Sequence, residues 1–350
     1  MFNLKKIKSN FFDKKLHKPY LIAEAGVNHE CSMKTAVKMI KLAKMGGADA
    51  IKFQYYKAET IASKKSPAYW DTKKEKSKNQ FQLFKKYDQF NFSNYEILKR
   101  ECKKNKIDFM CTPFDINGAK KINKLVDTFK ISSSDITNYP LIEEISKFKK
   151  TIILSTGASN LSEIGKAIQI IKKYHNKIVL LHCVLNYPTR NDNAFLGLIN
   201  ILKKRFKSLP IGYSDHTFQN FNLNIITAWL NGAIVIEKHF THNKKLQGND
   251  HYHSADFKDL KKLNEDFEQI IASMKDNIKK KLKIETKSRI NARRSIYTTK
   301  KINKNHIICK EDIICKRPAV GLSPEYFNKV IGKKIKKSKK EDTPIYLKDF

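Results

Sequence analysis

Residues 210–239 read PIGYSDHTFQNFNLNIITAWLNGAIVIEKH, and their pattern decides the fold. Two short apolar runs, Pro210 to His216 and Ala233 to His239, flank a stretch of helical periodicity. Each run ends in residues for which a buried strand has no structural use: Ser214 and His216 in the first, Glu237 and His239 in the second. Towards the N-terminus the same pattern recurs in Leu21 to Glu24, Ala48 to Gln54, Ile107 to Thr112, Val126 to Ser133, Thr151 to Thr156 and Ile178 to Cys183. These runs deliver Glu24, Lys52 and Gln54, Thr112, Lys130 and Ser133, Ser155, and His182. Near-continuous apolar runs suit parallel strands covered on both faces, and alternation with helices makes a parallel sheet the natural product. Eight such repeats predict a closed (β/α)8 TIM barrel, in which chemistry sits at the C-terminal strand ends. The polar residues fall there.

Strand parity supports the reading, because side chains two apart face the same side. Lys52 and Gln54 share a face, as do Ser214 and His216, and Glu237 and His239. Ile51, Phe53 and Ile236 then point outward to the helices.

The chain has 350 residues, whereas a (β/α)8 barrel takes roughly 250, so a smaller unit is expected after it. The N-terminal MFNLKKIKSNFFDKK lacks the features of a signal peptide, and no run approaches the ~20 apolar residues of a membrane span. A cytoplasmic protein with no membrane partner is the expectation. Six scattered cysteines form no CxxC or dense framework and read as reduced thiols, with Cys111 and Cys183 in the core. The net charge of +36 would attract polyanions, but lysine is spread along the whole length and no nucleic-acid motif stands out. It reads as compositional, with some benefit for an anionic substrate and no specific nucleic-acid partner.

Ser32 is placed to cap MKTAVKMIKLAKM, which stops at Gly46 and Gly47, and Ser93 with Glu96 matches a capping box. A further helix is expected around Asp256 to Ile271. Residues 55–92 are too long for an ordinary strand-to-helix connection and leave a strand end, as a lid or substrate wall would. The expected organisation is a barrel over 1–275, a basic linker over 276–290 and a compact β-rich module over 291–350, punctuated by Pro318, Gly321, Pro324, Gly332 and Pro344.

Lys52 and Lys130 supply positive charge, and Thr112, Ser133, Ser155 and Ser214 supply hydroxyls. Together they suit a small phosphorylated anion, because charge-assisted hydrogen bonds are strong in a low-dielectric pocket. His216 and His239, on neighbouring strand ends beside Glu237 and near Asp250, suit a divalent metal ion; manganese, magnesium and cobalt all fit such a site. His251 and His253 form an HxH pair that ranks below them, because it belongs to a loop.

The strings IAEAGVNHE, IKFQ, CTPFD, STGAS, LLHCVLNYPT, IGYSDHT, IEKHFT and GNDHYHS, in this order, resemble the sialic acid synthase family, also called N-acetylneuraminate or nonulosonate synthases. The tail, through SIYTTKKINKNHII, EDIICKRPAVGLSP and VIGKKI, resembles its C-terminal antifreeze-like (SAF) domain. The resemblance implies condensation of phosphoenolpyruvate with an N-acetylated hexosamine to a nine-carbon 2-keto acid and phosphate. N-acetylneuraminate synthase is the first expectation; legionaminic or pseudaminic acid synthases are the alternatives. It further implies that Lys52, Thr112, Lys130, Ser133, Ser155 and Ser214 hold phosphoenolpyruvate. Gln54, Tyr187 and Asp250 then lie by the sugar, with Arg317 reaching its acetamido group across a domain-swapped homodimer. Glu24, Lys52, Lys130 and Glu237 are the implied catalytic groups, and His216 and His239 hold the metal, Mn2+ first. Departures include Cys31, SSSD, STGA, Leu185 with Asn186, and GNDHYHS; the last two bear on the sugar. A Schiff-base aldolase using Lys52 or Lys130, or an inactive carbohydrate- or nucleic-acid-binding protein, are the competing readings.

Overall fold

The computed structural model describes residues 2–218, 221–248, 250–274 and 279–350. Eight strands pair in parallel, in sequence order: β1 (Tyr20–Gly26), β2 (Ala50–Tyr55), β3 (Asp108–Pro113), β4 (Thr128–Ile131), β5 (Thr151–Ser155), β6 (Ile178–Cys183), β7 (Ile211–Asp215) and β8 (Val235–His239). β8 returns to pair with β1 and closes the barrel. Helices that include Met33–Met45, Ile116–Ile122, Leu161–Lys172 and Phe257–Ser273 alternate with the strands. The (β/α)8 barrel expected from the eight runs is therefore the architecture found.

Burial follows the parity argument. Outward-facing Leu21, Ile51, Phe53, Cys111, Phe129, Ile152, Leu180 and Ile236 join helix residues such as Met39, Leu98, Ile145 and Ile168 in one apolar cluster. Inward-facing Ile22, Ala50, Met110, Ile153, Val179, Leu181 and Val235 form a second cluster one pleat before the polar strand ends. The N-terminal helix Leu4–Phe12 adds Ile7 and Phe11 to it, so that end of the barrel is stoppered by apolar side chains. Burying one such side chain is worth roughly 1.5–3 kcal/mol. The other end is left for polar groups.

Local signals explain the boundaries. Ser32 accepts from Thr35 N at the start of Met33–Met45, which ends at Gly46 as expected. The Ser93 cap is corrected: helix Phe92–Lys104 is capped by Asn91, whose side chain accepts from Asn94 N while Asn94 Oδ1 accepts from Asn91 N. An asparagine at N3 closes the box as Glu would, and Ser93 bonds Asn91 Oδ1 from inside the first turn. Gly212 has a different reason to be glycine. A Cβ there would lie 2.3 Å from Val235 O and 2.5 Å from Leu181 Cδ2, so a larger residue would push β8 and its inward side chains away.

The excursion after β2 holds two short helices, Ala58–Ile61 and Gln80–Lys86, and buries Trp70, which donates to Glu75 O. A second compact unit, Asp276–Phe350, follows the first, Met1–Lys275. Of the expected linker, 276–278 lie outside the described residues, and a helix occupies Thr286–Ala292. Antiparallel β9 (Ser295–Thr298) and β10 (Ile313–Lys316) pair beside a core of Ile296, Ile302, Ile308, Ile313, Val330, Ile335 and Ile345. Among the described residues no helix is long and apolar enough to cross a membrane.

Candidate active site

Register builds the centre of the barrel mouth. Glu24 and Lys52 are partners across β1 and β2, and Lys52 Nζ lies 2.6 Å from Glu24 Oε2 and 3.8 Å from Glu237 Oε2. Lys130 reaches across the barrel from β4 to Glu237 Oε1 at 3.1 Å. Ser214, partnered with Glu237 across β7 and β8, donates to the same oxygen at 3.1 Å. Lys52 also donates to Thr112 Oγ1 at 3.1 Å, and Gln54 Nε2 donates to Glu24 Oε1 at 2.9 Å. The four charged residues are all buried.

Burying an ion costs several kcal/mol unless partners compensate, and the two carboxylates are compensated unequally. Burial pushes Glu24 above the usual carboxylate range, more than Lys52 beside it offsets. Burial acts on Glu237 in the same direction, but Lys130 and Lys52 outweigh it and hold that carboxyl low. Lys52 is disfavoured as a cation by burial, yet Glu237 and Glu24 raise its pKa overall. One carboxylate is thus kept ionised and the other is readier to take a proton, an arrangement that separates acid and base roles.

Ser133 and Ser155 complete the floor. Ser133 Oγ accepts from Gly157 N at 2.9 Å, whereas buried Ser155 Oγ has no hydrogen-bond partner. These groups line a narrow cavity of about 40 Å³ together with Lys52, Thr112, Lys130, Ser214, His216, Glu237 and His239. Gln54, Phe114, Ser132, Tyr187 and His239 line both this cavity and a larger one of about 520 Å³. Tyr56, Tyr69, Leu83, Phe84 and Tyr87 of the long excursion wall the larger cavity, opposite Asp250 and His251. The excursion is therefore a cavity wall.

His216 and His239 meet at this mouth with ring centroids 5.4 Å apart, and Tyr187 lies 4.1 Å from the first and 5.8 Å from the second. His216 Nδ1 bonds Val184 O at 2.8 Å, which fixes its tautomer and leaves Nε2 with the lone pair. His239 Nδ1 has no hydrogen-bond partner and lies 3.6 Å from Asp250 Oδ2. Burial, with His216 and His253 nearby, keeps His239 neutral, its pKa well below the usual value. Burial and Glu24 raise Asp250 to about 7, against the opposing pull of His216. Burial disfavours the His216 cation, yet Cys183 and the Val184 carbonyl raise its pKa overall; the neutral His239 imidazole and the Asp250 carboxyl beside it are the pair suited to a divalent first-row ion.

Three expectations need correction. The loop holding the HxH pair folds back on the barrel: Thr241 N donates to Ala255 O and Ala255 N to His239 O, at 2.9 and 2.7 Å. His253 is therefore buried, and His239, Asp250 and His253 offer ligand atoms within 4.8 Å of one another. His251 instead bonds Thr241 Oγ1 at 2.8 Å. His182 points away from the mouth, bonding Ala194 O at 2.8 Å and stacking on Tyr213. Cys183 takes the inward place and lines the narrow cavity, its Sγ 3.7 Å from His216 Nδ1. Counting by twos from inward Leu181 would have found it.

Glu24, Lys52, Gln54, Thr112, Lys130, Ser133, Ser155, Tyr187, Ser214, His216, Glu237 and His239 thus converge on one cavity, with Asp250 lining its neighbour. Arg317 follows β10 in the second unit.

Fold and site together define a (β/α)8 barrel with a charged, ligand-sized mouth at its C-terminal strand ends. The chain belongs to the NeuB family, whose model matches residues 39–279, and a SAF domain model matches 293–350. It is 39% identical over 337 residues to the N,N'-diacetyllegionaminic acid synthase of Campylobacter jejuni, covering 94% of this chain and 99% of that one. The protein of that name from Legionella pneumophila is 37% identical over 255 residues, 70% of each chain. Among solved structures, the N-acetylneuraminic acid (sialic acid) synthetase of Leptospira borgpetersenii, in complex with citrate, superposes with a TM-score of 0.67 at 34% identity, covering 78% of this chain and 90% of that one.

Proposed function

We propose that the protein condenses phosphoenolpyruvate with an N-acetylated hexosamine, giving a nine-carbon 2-keto acid and phosphate. The observation that carries this reading is a pair of adjoining cavities in a NeuB-family barrel, one small and lysine-lined, one larger and aromatic-walled, with a shared wall at His239 and Tyr187. Lys52, Lys130, Thr112, Ser133, Ser155 and Ser214 bind the phosphate and carboxylate of the enol, where fixed donors stabilise developing anionic oxygens. Gln54, Tyr187 and Asp250 orient the sugar so that its aldehyde carbon faces C3 of the enol. His216 and His239 would hold a divalent ion, which when bound would supply Lewis-acid polarisation of the aldehyde. The new C–C bond leaves C2 cationic, and water adds to it. Glu24, with its raised pKa, is suited to accept the proton of that water. The tetrahedral intermediate then expels phosphate by C–O cleavage.

The larger cavity, at about 520 Å³, has room for a second acetamido group. Relatives at 39 and 37% identity carry the name of a diacetyllegionaminic acid synthase. These two observations favour a 2,4-diacetamido hexose over N-acetylmannosamine as the acceptor. An imine-forming aldolase is disfavoured because such chemistry needs a neutral amine, while Lys52 has a raised pKa and Lys130 is paired with Glu237 at 3.1 Å. The test is phosphate release from phosphoenolpyruvate with Mn2+ and a panel of N-acetylated hexosamines, with mass detection of the product. Release with the diacetamido sugar is expected. Borohydride trapping of pyruvate on either lysine, without phosphate release, would replace the reading.

A further inference from the structure

Barrel register sets most side chains of the mouth, but Asp250 stands on the loop after β8, where no strand can place it. Both ends of that loop meet one side chain. Asn28 belongs to the turn after β1, in which its N donates to Ala25 O at 2.9 Å, and it is 2% exposed. Its Nδ2 donates to Phe240 O at 3.0 Å, one residue beyond β8, and to Ser254 Oγ at 3.1 Å, where the loop returns. The two amide hydrogens are thus divided between the two ends of segment 240–254. The amide has only one sensible orientation, because Oδ1 in place of Nδ2 would set two acceptors face to face at Phe240 O.

Ser254 carries the connection onward. A hydroxyl has a single hydrogen; since Ser254 Oγ accepts from Asn28, it donates that hydrogen to Asp250 O. The chain of donors from Asn28 through Ser254 to Asp250 therefore runs in one direction and ends on the backbone of the residue that lines the larger cavity. Its carboxylate is aimed at the other mouth groups. A Cβ built on Gly26, which has φ +52°, would lie 3.5 Å from Gln54 Nε2, 3.6 Å from Glu24 Oε1 and 3.8 Å from Asp250 Oδ2, so these three groups gather over one glycine.

We infer that Asn28 is a positioning residue: it closes the neck of the loop after β8 and, through Ser254, sets Asp250 against the acceptor cavity. Backbone bonds alone do not reach that far. Phe240 N donates to Glu24 O at 2.7 Å, Thr241 N to Ala255 O at 2.9 Å and Ala255 N to His239 O at 2.7 Å. These fix the two stems of the loop, and the tie from the stems to Asp250 passes through the Ser254 hydroxyl.

The inference rests on the synthase reading for what Asp250 orients, so one arm of its test uses no substrate. Amide hydrogen exchange of the full chain is followed by mass spectrometry in the unaltered protein, in Asn28→Asp, which removes both donors at nearly constant shape, and in Ser254→Ala, which leaves the bond from Asn28 to Phe240 in place. Peptides within 241–255 should exchange about tenfold faster in both variants, with barrel-strand peptides unchanged. In the second arm, the KM of the acceptor sugar should rise about tenfold while that of phosphoenolpyruvate stays within about twofold. In an Asp250→Asn background, adding Asn28→Asp should leave the acceptor KM within about twofold, because the group being positioned is already lost. A purely structural Asn28 would instead raise both KM values and add to the Asp250→Asn effect. Unchanged exchange over 241–255 in a folded Asn28→Asp or Ser254→Ala chain, or an equal rise in the two KM values, would overturn the assignment. Turnover by the unaltered protein with loop exchange and acceptor KM indifferent to Asn28 sinks this inference alone. Asn28-dependent loop exchange with no turnover on any sugar sinks the synthase reading alone.

Discussion

On the outer face of β7 and β8, Lys238 Nζ lies 2.8 Å from Asp215 Oδ2 and donates to Thr217 O at 2.6 Å, while Asp215 Oδ1 accepts from Tyr213 Oη and Thr217 Oγ1, each at 2.7 Å. On the inner face of the same strands stand Ser214, His216, Glu237 and His239, around a cavity that also contains the unpartnered Ser155 Oγ and His239 Nδ1. Both clusters are buried and both carry opposite charges. The outer one is closed, each group meeting another within the protein. The inner one leaves polar atoms without partners, a cost that an incoming ligand can remove. Completeness of hydrogen bonding, rather than burial or charge, separates the structural cluster from the one suited to chemistry.

The largest expected effect strikes the closed cluster. Lys238→Met leaves the Asp215 carboxylate buried without its cation and should cost about 3–5 kcal/mol, read from urea unfolding of the full chain. A loss below about 1 kcal/mol would dissolve the distinction between the two faces. Next, Lys130→Met should lower kcat/KM for phosphate release by about 10²–10³-fold while the chain still unfolds cooperatively. Retention of activity within tenfold would take Lys130 out of anion binding.

A second closed cluster, in the C-terminal unit, tests the rule elsewhere. Burial would raise Asp312, but Lys300, Cys309 N and His306 hold it down at about 2 from an ordinary value of 3.8. Because the folded value is the lower one, the stability it contributes is complete above 3.8 and is lost as pH falls through about 2. With Lys300 exposed to screening, that contribution is about 1–2 kcal/mol. Asp312→Asn should remove this pH dependence in acid unfolding monitored by circular dichroism; an unchanged acid limb would show that the cluster is not closed in solution.

The smallest effect on stability belongs to the open cluster. Ser155→Ala deletes a hydroxyl with no hydrogen bond to lose, so unfolding should shift by no more than about 0.5 kcal/mol. Turnover should still fall about tenfold. A stability loss above 1 kcal/mol would mean that Ser155 is held by the protein after all.

Much of this was legible in the chain itself. The parity of Lys52 with Gln54, Ser214 with His216, and Glu237 with His239 placed each pair at the mouth, because alternation in a strand is a local property. The same rule was available at the end of β6, where Cys183 rather than His182 continues the inward series from Leu181. His182 has the chemistry of a site residue but stands on the outward face of its strand. His253 could not be placed by alternation, since it lies outside any strand, and its burial depends on Ala255 pairing beside Phe240.

The sequence alone determined the number of strands, which side chains face inward, and which residue types gather at the C-terminal ends, because those follow from a two-residue period and a repeated strand-helix rhythm. Only the tertiary structure decided which charges neutralise each other: Lys130 meets Glu237 from across the barrel, 107 residues away. It also decided which loop residues lie beside the site and how the larger cavity is walled. Contacts between distant segments depend on barrel closure and on where loops return, and no local pattern encodes those distances.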